Sequence, residues 1–268
     1  MVNKNVTFVV GAGAVENSWN PVITAINKTF DIETDGDGAN FLFARSIYLM
    51  RFFANFASRG ILENGTTKGM KKNISILKEN ISMELKTAQK NNLIRPHKEF
   101  KAIVRKFISS RIDKASLVST NWDEVIDNEI NRLYQLNYPK PNSVIQSLHI
   151  HGSINSPNGL YLPSEITQEL YRTDEEEKRM GKNHGLFINL LEKGSRTILY
   201  GISLDPLDAE LNHALSEGWK SKINKEIIII DLDHEKVAKR VKLLLDKRSQ
   251  VKIVGYHPEN LAIGVNYE

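Results

Sequence analysis

The 268-residue sequence predicts an α/β fold, a doubly wound parallel sheet with a helical insertion. Three observations lead to this prediction. Short apolar runs typical of buried strands alternate with helical stretches along most of the chain. Several of these runs end in glycine or a short polar side chain, as strands do where the chain turns into a helix. Residues 61–115 interrupt the alternation with amphipathic helices, in which apolar residues recur three and four positions apart.

The first predicted strand covers residues 6–10, a β-branched and aromatic run, and residues 11–14 form a turn of glycine and alanine. A helix is expected over residues 20–26. Residues 34–40 are a loop by composition, because they are rich in Asp and Gly. The strongly apolar residues 41–56 predict a second helix.

Beyond the insertion the alternation of strands and helices resumes. Predicted strands cover residues 115–120, 145–150, 197–200, 227–230 and 251–254, and predicted helices cover residues 123–133, 174–179, 208–219 and 235–245. Because strands and helices alternate, we expect a parallel sheet with helices on both faces.

The composition is that of an ordinary globular protein and excludes several classes. Hydrophobic residues make up 41% and charged residues 25% of the chain, which excludes a disordered or fibrous protein. The chain has no Cys, which excludes disulfides and Cys-ligated zinc or iron–sulfur sites. No apolar run reaches the ~18 residues of a membrane span, and residues 1–5 are not typical of a signal peptide. We therefore expect one cytoplasmic domain over residues 1–268, with no membrane partner.

The net charge of +4 is unevenly distributed. Residues 61–115 hold thirteen Lys or Arg and five Asp or Glu, a net of +8. A basic segment of this kind is suited to nucleic acid or to an acidic partner. A solvated helical face explains the same charge, so nucleic-acid binding stays open.

Candidate functional residues follow from the fold, because ligands of doubly wound sheets bind outside the carboxyl ends of the strands. The residues at five such ends are Gly11, Ala12, Gly13 and Ala14, then Thr120, Asn121 and Asp123, then His151 and Gly152, then Gly201 and Ser203, and finally Asp231. Their joint placement at one edge of the sheet predicts a single binding cleft.

Three of these strand ends are typical of nucleotide binding, although each has a structural explanation. Gly11-x-Gly13 lets a phosphate approach the backbone, but the third position of the dinucleotide fingerprint is Glu16, so a plain strand–turn–helix junction also explains the glycines. A carboxylate at Asp231 can accept from two ribose hydroxyls, or can cap the following helix. Ser203 can donate to a phosphate or ribose, or serve the turn. Neither glycine segment continues into Gly-Lys-Ser/Thr, which argues against a P-loop hydrolase.

His149 and His151 are two residues apart at the end of a predicted strand, so they face the same side if the chain is still extended there. No carboxylate cluster completes a metal site with them, so we expect no metal. His151 is at the predicted ligand edge, where a neutral imidazole could act as a general base near pH 7. A lone histidine is more often structural.

Taken together, these segments resemble the sirtuin-like superfamily. Residues 11–14 match the glycine loop of this superfamily. Residues 119–123, Ser-Thr-Asn-Trp-Asp, match its Thr-Asn-x-Asp motif, and residues 149–153, His-Ile-His-Gly-Ser, match its His-Gly-Ser motif. Residues 201–203, Gly-Ile-Ser, match its Gly-x-Ser turn. Asp231 falls where the family binds the adenosine ribose. The motifs occur in family order and cover about residues 6–235. The resemblance implies a Rossmann-like fold that binds NAD with the nicotinamide deep in the cleft.

Sirtuin deacylases carry a four-Cys zinc module, and this chain has no Cys. It therefore resembles the NAD-cleaving effectors of bacterial antiphage systems, which also lack the module. The resemblance implies an NAD hydrolase that yields nicotinamide and ADP-ribose, with NAD as substrate and no metal. It assigns Asn121 to positioning the water and the ribose, Asp123 to orienting the loop or stabilising positive charge, and His151 to acting as general base. The residues implied to hold NAD are Gly11, Ala12, Gly13, Ala14, Thr120, Gly152, Gly201, Ser203 and Asp231.

An enzyme that destroys NAD must be held inactive until it is needed. The resemblance therefore implies activation by assembly, as a homo-oligomer or with a partner protein of a defence system, and residues 61–115 are candidates for a lid or an assembly surface. The sequence departs from the family pattern at residues 14–16, where a small polar residue often follows the glycines. The alternative function is therefore a catalytically silent NAD or ADP-ribose sensor in a larger complex, one that could be linked to DNA.

Overall fold

The structure is a computed structural model that describes residues 5–58, 64–108, 114–135, 146–156, 159–246 and 249–267. Within these residues the strands are β1 (Asn5–Val10), β2 (Val15–Glu16), β3 (Arg95–Pro96), β4 (Lys114–Ser119), β5 (Gln146–His149), β6 (Arg196–Tyr200), β7 (Glu226–Ile230), β8 (Lys252–His257) and β9 (Asn260–Tyr267). The helices are α1 (Asn20–Phe30), α2 (Gly36–Ser58), α3 (Asn64–Lys90), α4 (Phe100–Phe107), α5 (Val125–Gln135), α6 (Asp174–Lys193), α7 (Ala209–Trp219) and α8 (His234–Leu244).

Seven strands form the main sheet in the order β5–β4–β1–β6–β7–β8–β9. The first six are parallel, and β9 runs antiparallel to β8 at the edge. β2 and β3 form a separate antiparallel ribbon. The prediction of an α/β, Rossmann-like, doubly wound parallel sheet is confirmed.

Alternate residues of the central strands serve opposite faces of this sheet. On β7, Ile228 and Ile230 pack into one core with apolar residues of α1 to α5, whereas Ile227 and Ile229 pack into a second core with residues of α6, α7 and α8. A strand covered on both faces needs apolar residues at every position. This requirement explains the run of four isoleucines.

The structure corrects one predicted loop and leaves two predicted boundaries untested. Helix α2 begins at Gly36, so the loop expected over residues 34–40 ends at Asp35. The Asp35 carboxylate accepts the Gly38 amide at 2.8 Å, a capping interaction that starts the helix in spite of its two glycines. The insertion at about residues 61–115 stays a prediction, because residues 59–63 and 109–113 lie outside the described residues, as does Ile145 of the strand predicted over residues 145–150.

The order of the strands reverses between β1 and β6. From β1 the chain proceeds to β4 and β5 on one side, and from β6 it proceeds to β7 and β8 on the other. The chain therefore continues from β1 and from β6 into helices on opposite faces of the sheet, α1 and α7, and leaves a crevice between them, which is where such sheets bind ligands. In the described part of the chain, no helix combines the length and the apolar character that crossing a membrane requires.

Candidate functional site

A cavity of about 570 Å³ opens at the carboxyl ends of the central strands, at the point where the strand order reverses. Ten of the twelve residues singled out from the sequence line it: Gly11, Ala12, Gly13, Thr120, Asn121, Asp123, His151, Gly201, Ser203 and Asp231. The apolar part of its wall includes Trp19, Leu85 and Trp122. The structure thus brings residues from five separate strand ends to one cleft.

The floor of the cavity is formed by two loops that touch through glycines. The Gly11 amide donates to the Tyr200 carbonyl at 3.0 Å, and the Gly13 amide donates to the Gly201 carbonyl at 3.0 Å. Gly201 has a φ of 63°, and a Cβ atom there would lie 2.3 Å from the Ala14 nitrogen. Only glycine permits this conformation and this approach together.

Ala14 and Gly152 do not line the cavity. Ala14 is fully buried, and its amide donates to the Gly11 carbonyl at 2.9 Å. Gly152 has a φ of 75°, and a Cβ atom there would lie 2.1 Å from the Gly159 carbonyl oxygen. Both residues shape the loops behind the cavity.

The departure at Glu16 has a local explanation. Glu16 belongs to β2, and its carboxylate accepts from Arg95 on β3 at 2.7 Å. The His97 amide also donates to the Ala14 carbonyl at 3.2 Å. The segment before α4 is therefore joined to the glycine loop, and Glu16 faces this ribbon, outside the cavity lining.

Asn121 presents an unpaired amide to the cavity. Its backbone is held, because its N–H donates to the Ser119 hydroxyl at 3.2 Å and its carbonyl lies 2.9 Å from His149 Nδ1. The residue is only 7% exposed, yet its Nδ2 has no hydrogen-bond partner among the described residues. A buried donor without a partner costs about 1–3 kcal/mol, which a ligand acceptor would recover.

His151 presents a proton acceptor to the same cavity. Its Nδ1 lies 3.2 Å from the Thr120 carbonyl, and because a carbonyl can only accept, Nδ1 carries the proton. Its Nε2 is buried without a hydrogen bond, 3.3 Å from Oδ1 of Asp208. Burial lowers the pKa of His151, but the negative charge of Asp208 outweighs this, and the pKa is raised above its ordinary value.

Asp123 lies beside them, 4% exposed, where α5 begins. One of its oxygens accepts the Val125 amide at 3.0 Å. Burial raises the pKa of Asp123 to about 6, because removal from water disfavours the carboxylate. A positive charge placed nearby would restore the ionised form.

His149 points away from the cavity and supports it from behind. Its Nδ1 contacts the Asn121 carbonyl, and its Nε2 lies 3.0 Å from the Asp127 carboxylate. Burial lowers the pKa of His149, but the bond to Asp127 outweighs this and the pKa is raised; for Asp127, burial raises the pKa and the bond from His149 lowers it below its ordinary value. With an acceptor on each side, both ring nitrogens carry protons. Among the described residues, no group of three or more His, Cys, Asp or Glu could hold a metal ion.

Ser203 and Asp231 lie at the far end of the cleft, after β6 and β7. Ser203 is exposed, and its carbonyl accepts from Arg240 at 2.6 Å. Asp231 is half-buried and accepts the Asp233 amide at 2.9 Å. The N-cap of α8 is Asp233, which accepts the Lys236 amide, so Asp231 does not cap that helix. Burial raises the pKa of Asp231.

The sequence analysis missed Asp205 and Asp208, which also line the cavity. Together with Asp123 and Asp231 they place four carboxyl groups around it, and the described lining residues include no Lys or Arg. In the sequence both belong to Asp-Pro-Leu-Asp, shortly after the Gly-Ile-Ser turn, a pattern that is equally typical of a turn and a helix N-cap. This lining favours a ligand that carries positive charge at the reacting end.

Comparison with protein-family models gives no match, and comparison with curated proteins gives none. Among solved structures, the chain is similar to one described as "Structural Basis for the Mechanism and Regulation of Sir2 Enzymes". The two share 14% sequence identity over 86% of this chain and 81% of that chain, with a TM-score of 0.36. At this distance the function has to be inferred from the side chains of the cavity.

Proposed function

We propose that this protein is an NAD hydrolase, which binds NAD in the cavity and cleaves the bond between nicotinamide and ribose. The observation that carries the proposal is a pair of buried polar atoms in the lining of one cavity: Asn121 Nδ2, which has no hydrogen-bond partner among the described residues, and His151 Nε2, which makes no hydrogen bond and lies 3.3 Å from the Asp208 carboxylate. One is a hydrogen-bond donor and the other a proton acceptor. Hydrolysis at a sugar carbon needs both, a group that orients water or hydroxyls and a base.

The chemistry of the bond agrees with the carboxylates of the lining. The nicotinamide of NAD leaves from a pyridinium, so its departure needs no acid, and the ribose passes through an oxocarbenium-like state. The C1′–N bond breaks with its electron pair going to nicotinamide. A water oxygen bonds to C1′ and its proton passes to His151 Nε2. Asp123 stabilises the positive charge that develops on the sugar.

The rest of the dinucleotide fits the other strand ends. Asp231 offers a carboxylate to the adenosine ribose, and Ser203 offers a hydroxyl to the same half. The amides of Gly11, Gly13 and Ala14 all donate to carbonyls of the protein. The glycine loop therefore supplies space for the pyrophosphate, and those three amides are not its donors.

The biological role completes the proposal. The motif resemblance supports an antiphage effector that is activated by self-assembly or by a partner protein, with NAD as substrate and without a metal. Turnover should therefore be measured over a range of protein concentrations, because an enzyme activated by assembly gains specific activity as it associates.

The test is release of nicotinamide from NAD, followed by chromatography. Asn121→Ala and His151→Ala should each abolish release while the melting temperature stays near that of the wild type. His213→Ala changes an exposed histidine of α7 and is the matched control, with an unchanged rate. Turnover at the wild-type rate in either cavity variant contradicts the assigned roles. A melting shift with NAD or ADP-ribose but no nicotinamide would favour the silent sensor.

A further inference from the structure

Asp208 occupies the N-cap position of α7, but its side chain makes no capping hydrogen bond. The equivalent residues of α6 and α8, Thr173 and Asp233, both cap their helices. The Asp208 carboxylate instead lies 3.3 Å from His151 Nε2, and only a quarter of its side chain is exposed. The Asp208 carboxylate therefore contacts His151 across the cavity and does not cap the N-terminus of α7.

The other groups around His151 are already engaged. The Tyr161 ring stacks on the imidazole at 5.4 Å, and its hydroxyl donates to Glu210 of α7 at 2.5 Å. Glu210 also accepts from the amide and the hydroxyl of Thr167, both at 2.7 Å. The Glu210 carboxylate is thus satisfied by three donors and acts on His151 only from a distance.

His184 of α6 is a further titratable group on this side, and the Arg172 guanidinium lies 4.9 Å from the centre of the Tyr161 ring. Its Nδ1 contacts the Met180 carbonyl at 3.0 Å, and its Nε2 lies 3.8 Å from Glu210. Burial lowers the pKa of His184, so it is neutral when His151 titrates. Asp208 is therefore the charged group in direct contact with His151 Nε2.

We propose that Asp208 is a positioning residue that sets the basicity of His151, an inference that rests on the proposed hydrolysis of NAD. When Nε2 takes the proton of the attacking water, the imidazolium forms 3.3 Å from a carboxylate that stabilises it. The Thr120 carbonyl holds the other proton on Nδ1. The base is thereby assembled from the end of β5 and the start of α7, which lie on opposite sides of the point where the strand order reverses.

The first experiment is the pH dependence of kcat for nicotinamide release by the wild type, Asp208→Asn and Asp205→Asn. Loss of the charge at Asp208 should move the acidic limb to lower pH by about 1–3 units and lower the plateau. Asp205→Asn removes a carboxylate that lines the same cavity and accepts the Leu207 amide at 2.9 Å, but that has no described contact with His151, so the acidic limb of this variant should stay in place. Asp208→Glu keeps a carboxylate, so the acidic limb of its pH profile should lie between those of the wild type and Asp208→Asn. An unshifted limb in Asp208→Asn, or equal shifts in both Asn variants, overturns the proposal.

The second experiment separates this inference from the proposed function. The ring protons of His151 are titrated by NMR in the ligand-free protein, and the resonance is assigned with His151→Gln. The pKa should fall in Asp208→Asn and not in Asp205→Asn, and an unchanged value in Asp208→Asn overturns the pairing. Absence of nicotinamide release by the wild type would overturn the hydrolase function, while the titration would still decide the pairing.

Discussion

His149 and His151 contact two consecutive backbone carbonyls with the same ring atom. The Nδ1 of His151 lies 3.2 Å from the Thr120 carbonyl, and the Nδ1 of His149 lies 2.9 Å from the Asn121 carbonyl. Their Nε2 atoms then differ, because that of His149 lies 3.0 Å from the Asp127 carboxylate, whereas that of His151 makes no hydrogen bond and lies 3.3 Å from the Asp208 carboxylate. Two histidines with matching supports therefore differ at the second ring nitrogen, and only His151 has the arrangement that the proposed general base requires.

Removal of His149 should weaken both the fold and the site. His149→Ala removes the charged partner of the half-buried Asp127 carboxylate, which keeps the Ser147 hydroxyl, and frees the Asn121 carbonyl, so we expect the free energy of unfolding to fall by about 1–3 kcal/mol. Urea unfolding measures this loss. Nicotinamide release should be slowed but still detectable, whereas His151→Ala should abolish release with little loss of stability. A larger loss of stability in His151→Ala than in His149→Ala, or a larger loss of nicotinamide release in His149→Ala, would contradict these roles.

The coupling between His149 and Asp127 should depend on pH. The raised pKa of His149 gives stability that is fully present below its ordinary value of 6.5 and is lost as the pH rises through the folded-state value. The lowered pKa of Asp127 gives stability that is present above 3.8 and is lost as the pH falls through the folded-state value. A double-mutant cycle with His149→Gln and Asp127→Asn should therefore give its largest coupling between about pH 4 and 6.5. A coupling that grows above pH 8 would contradict the assigned charges.

Asp123→Asn should reduce the pH dependence of the free energy of unfolding. Because the folded-state pKa of Asp123 is about 6, above its ordinary value of 3.8, the free energy of unfolding of the wild type falls as the pH rises through this interval. The loss amounts to about 3 kcal/mol at neutral pH. The substituted side-chain amide keeps an oxygen for the Val125 amide but does not titrate. The variant should be more stable than the wild type at pH 8, and slower in releasing nicotinamide. The same pH dependence of the free energy of unfolding in the variant and the wild type would contradict the raised pKa of Asp123.

Asp231 should make the enzyme prefer NAD to NADP. A 2′-phosphate on the adenosine ribose would lie next to the half-buried carboxylate, and juxtaposed like charges are unfavourable. We expect kcat/KM for NAD to exceed that for NADP by at least about tenfold, or about 1.4 kcal/mol. Asp231→Asn should reduce the preference by raising the NADP value. A preference that survives this substitution unchanged would place the adenosine ribose elsewhere.

Gly201→Ala should disrupt the floor of the cavity. The new Cβ would lie 2.3 Å from the Ala14 nitrogen, at a φ of 63° that side chains rarely adopt. We expect a fall in melting temperature together with loss of nicotinamide release. Gly185→Ala is the matched control, because nothing lies within 4 Å of its Cβ position on α6, and it should stabilise the helix by about 1 kcal/mol. Equal melting temperatures for the two variants would contradict the close contact of the loops.

The central strands could be predicted because a doubly covered strand requires an unbroken apolar run, as at residues 227–230. Strand β9 was missed because it is an edge strand with mostly exposed side chains and lacks such a run. The start of α2 was missed because Asp35 caps a segment whose glycines are typical of a loop.

Within the site, sequence motifs indicated Asn121 and His151, which follow strands directly. Asp208 could not be found in this way. Its contact with His151 spans two loops that are far apart in the chain, and its position before α7 is equally typical of an N-cap. The orientation of a side chain across a crevice depends on how the sheet is assembled, which no local pattern records.

The four carboxyl groups of the lining also bear on what would follow the proposed hydrolysis of NAD. Once nicotinamide has departed, the ADP-ribose left behind has lost the pyridinium and keeps both negative charges of its pyrophosphate. The same walls that attracted the substrate then repel the product. Such a catalyst would suffer little end-product inhibition, and it could drain a dinucleotide pool to completion at a rate that accumulated ADP-ribose does not slow.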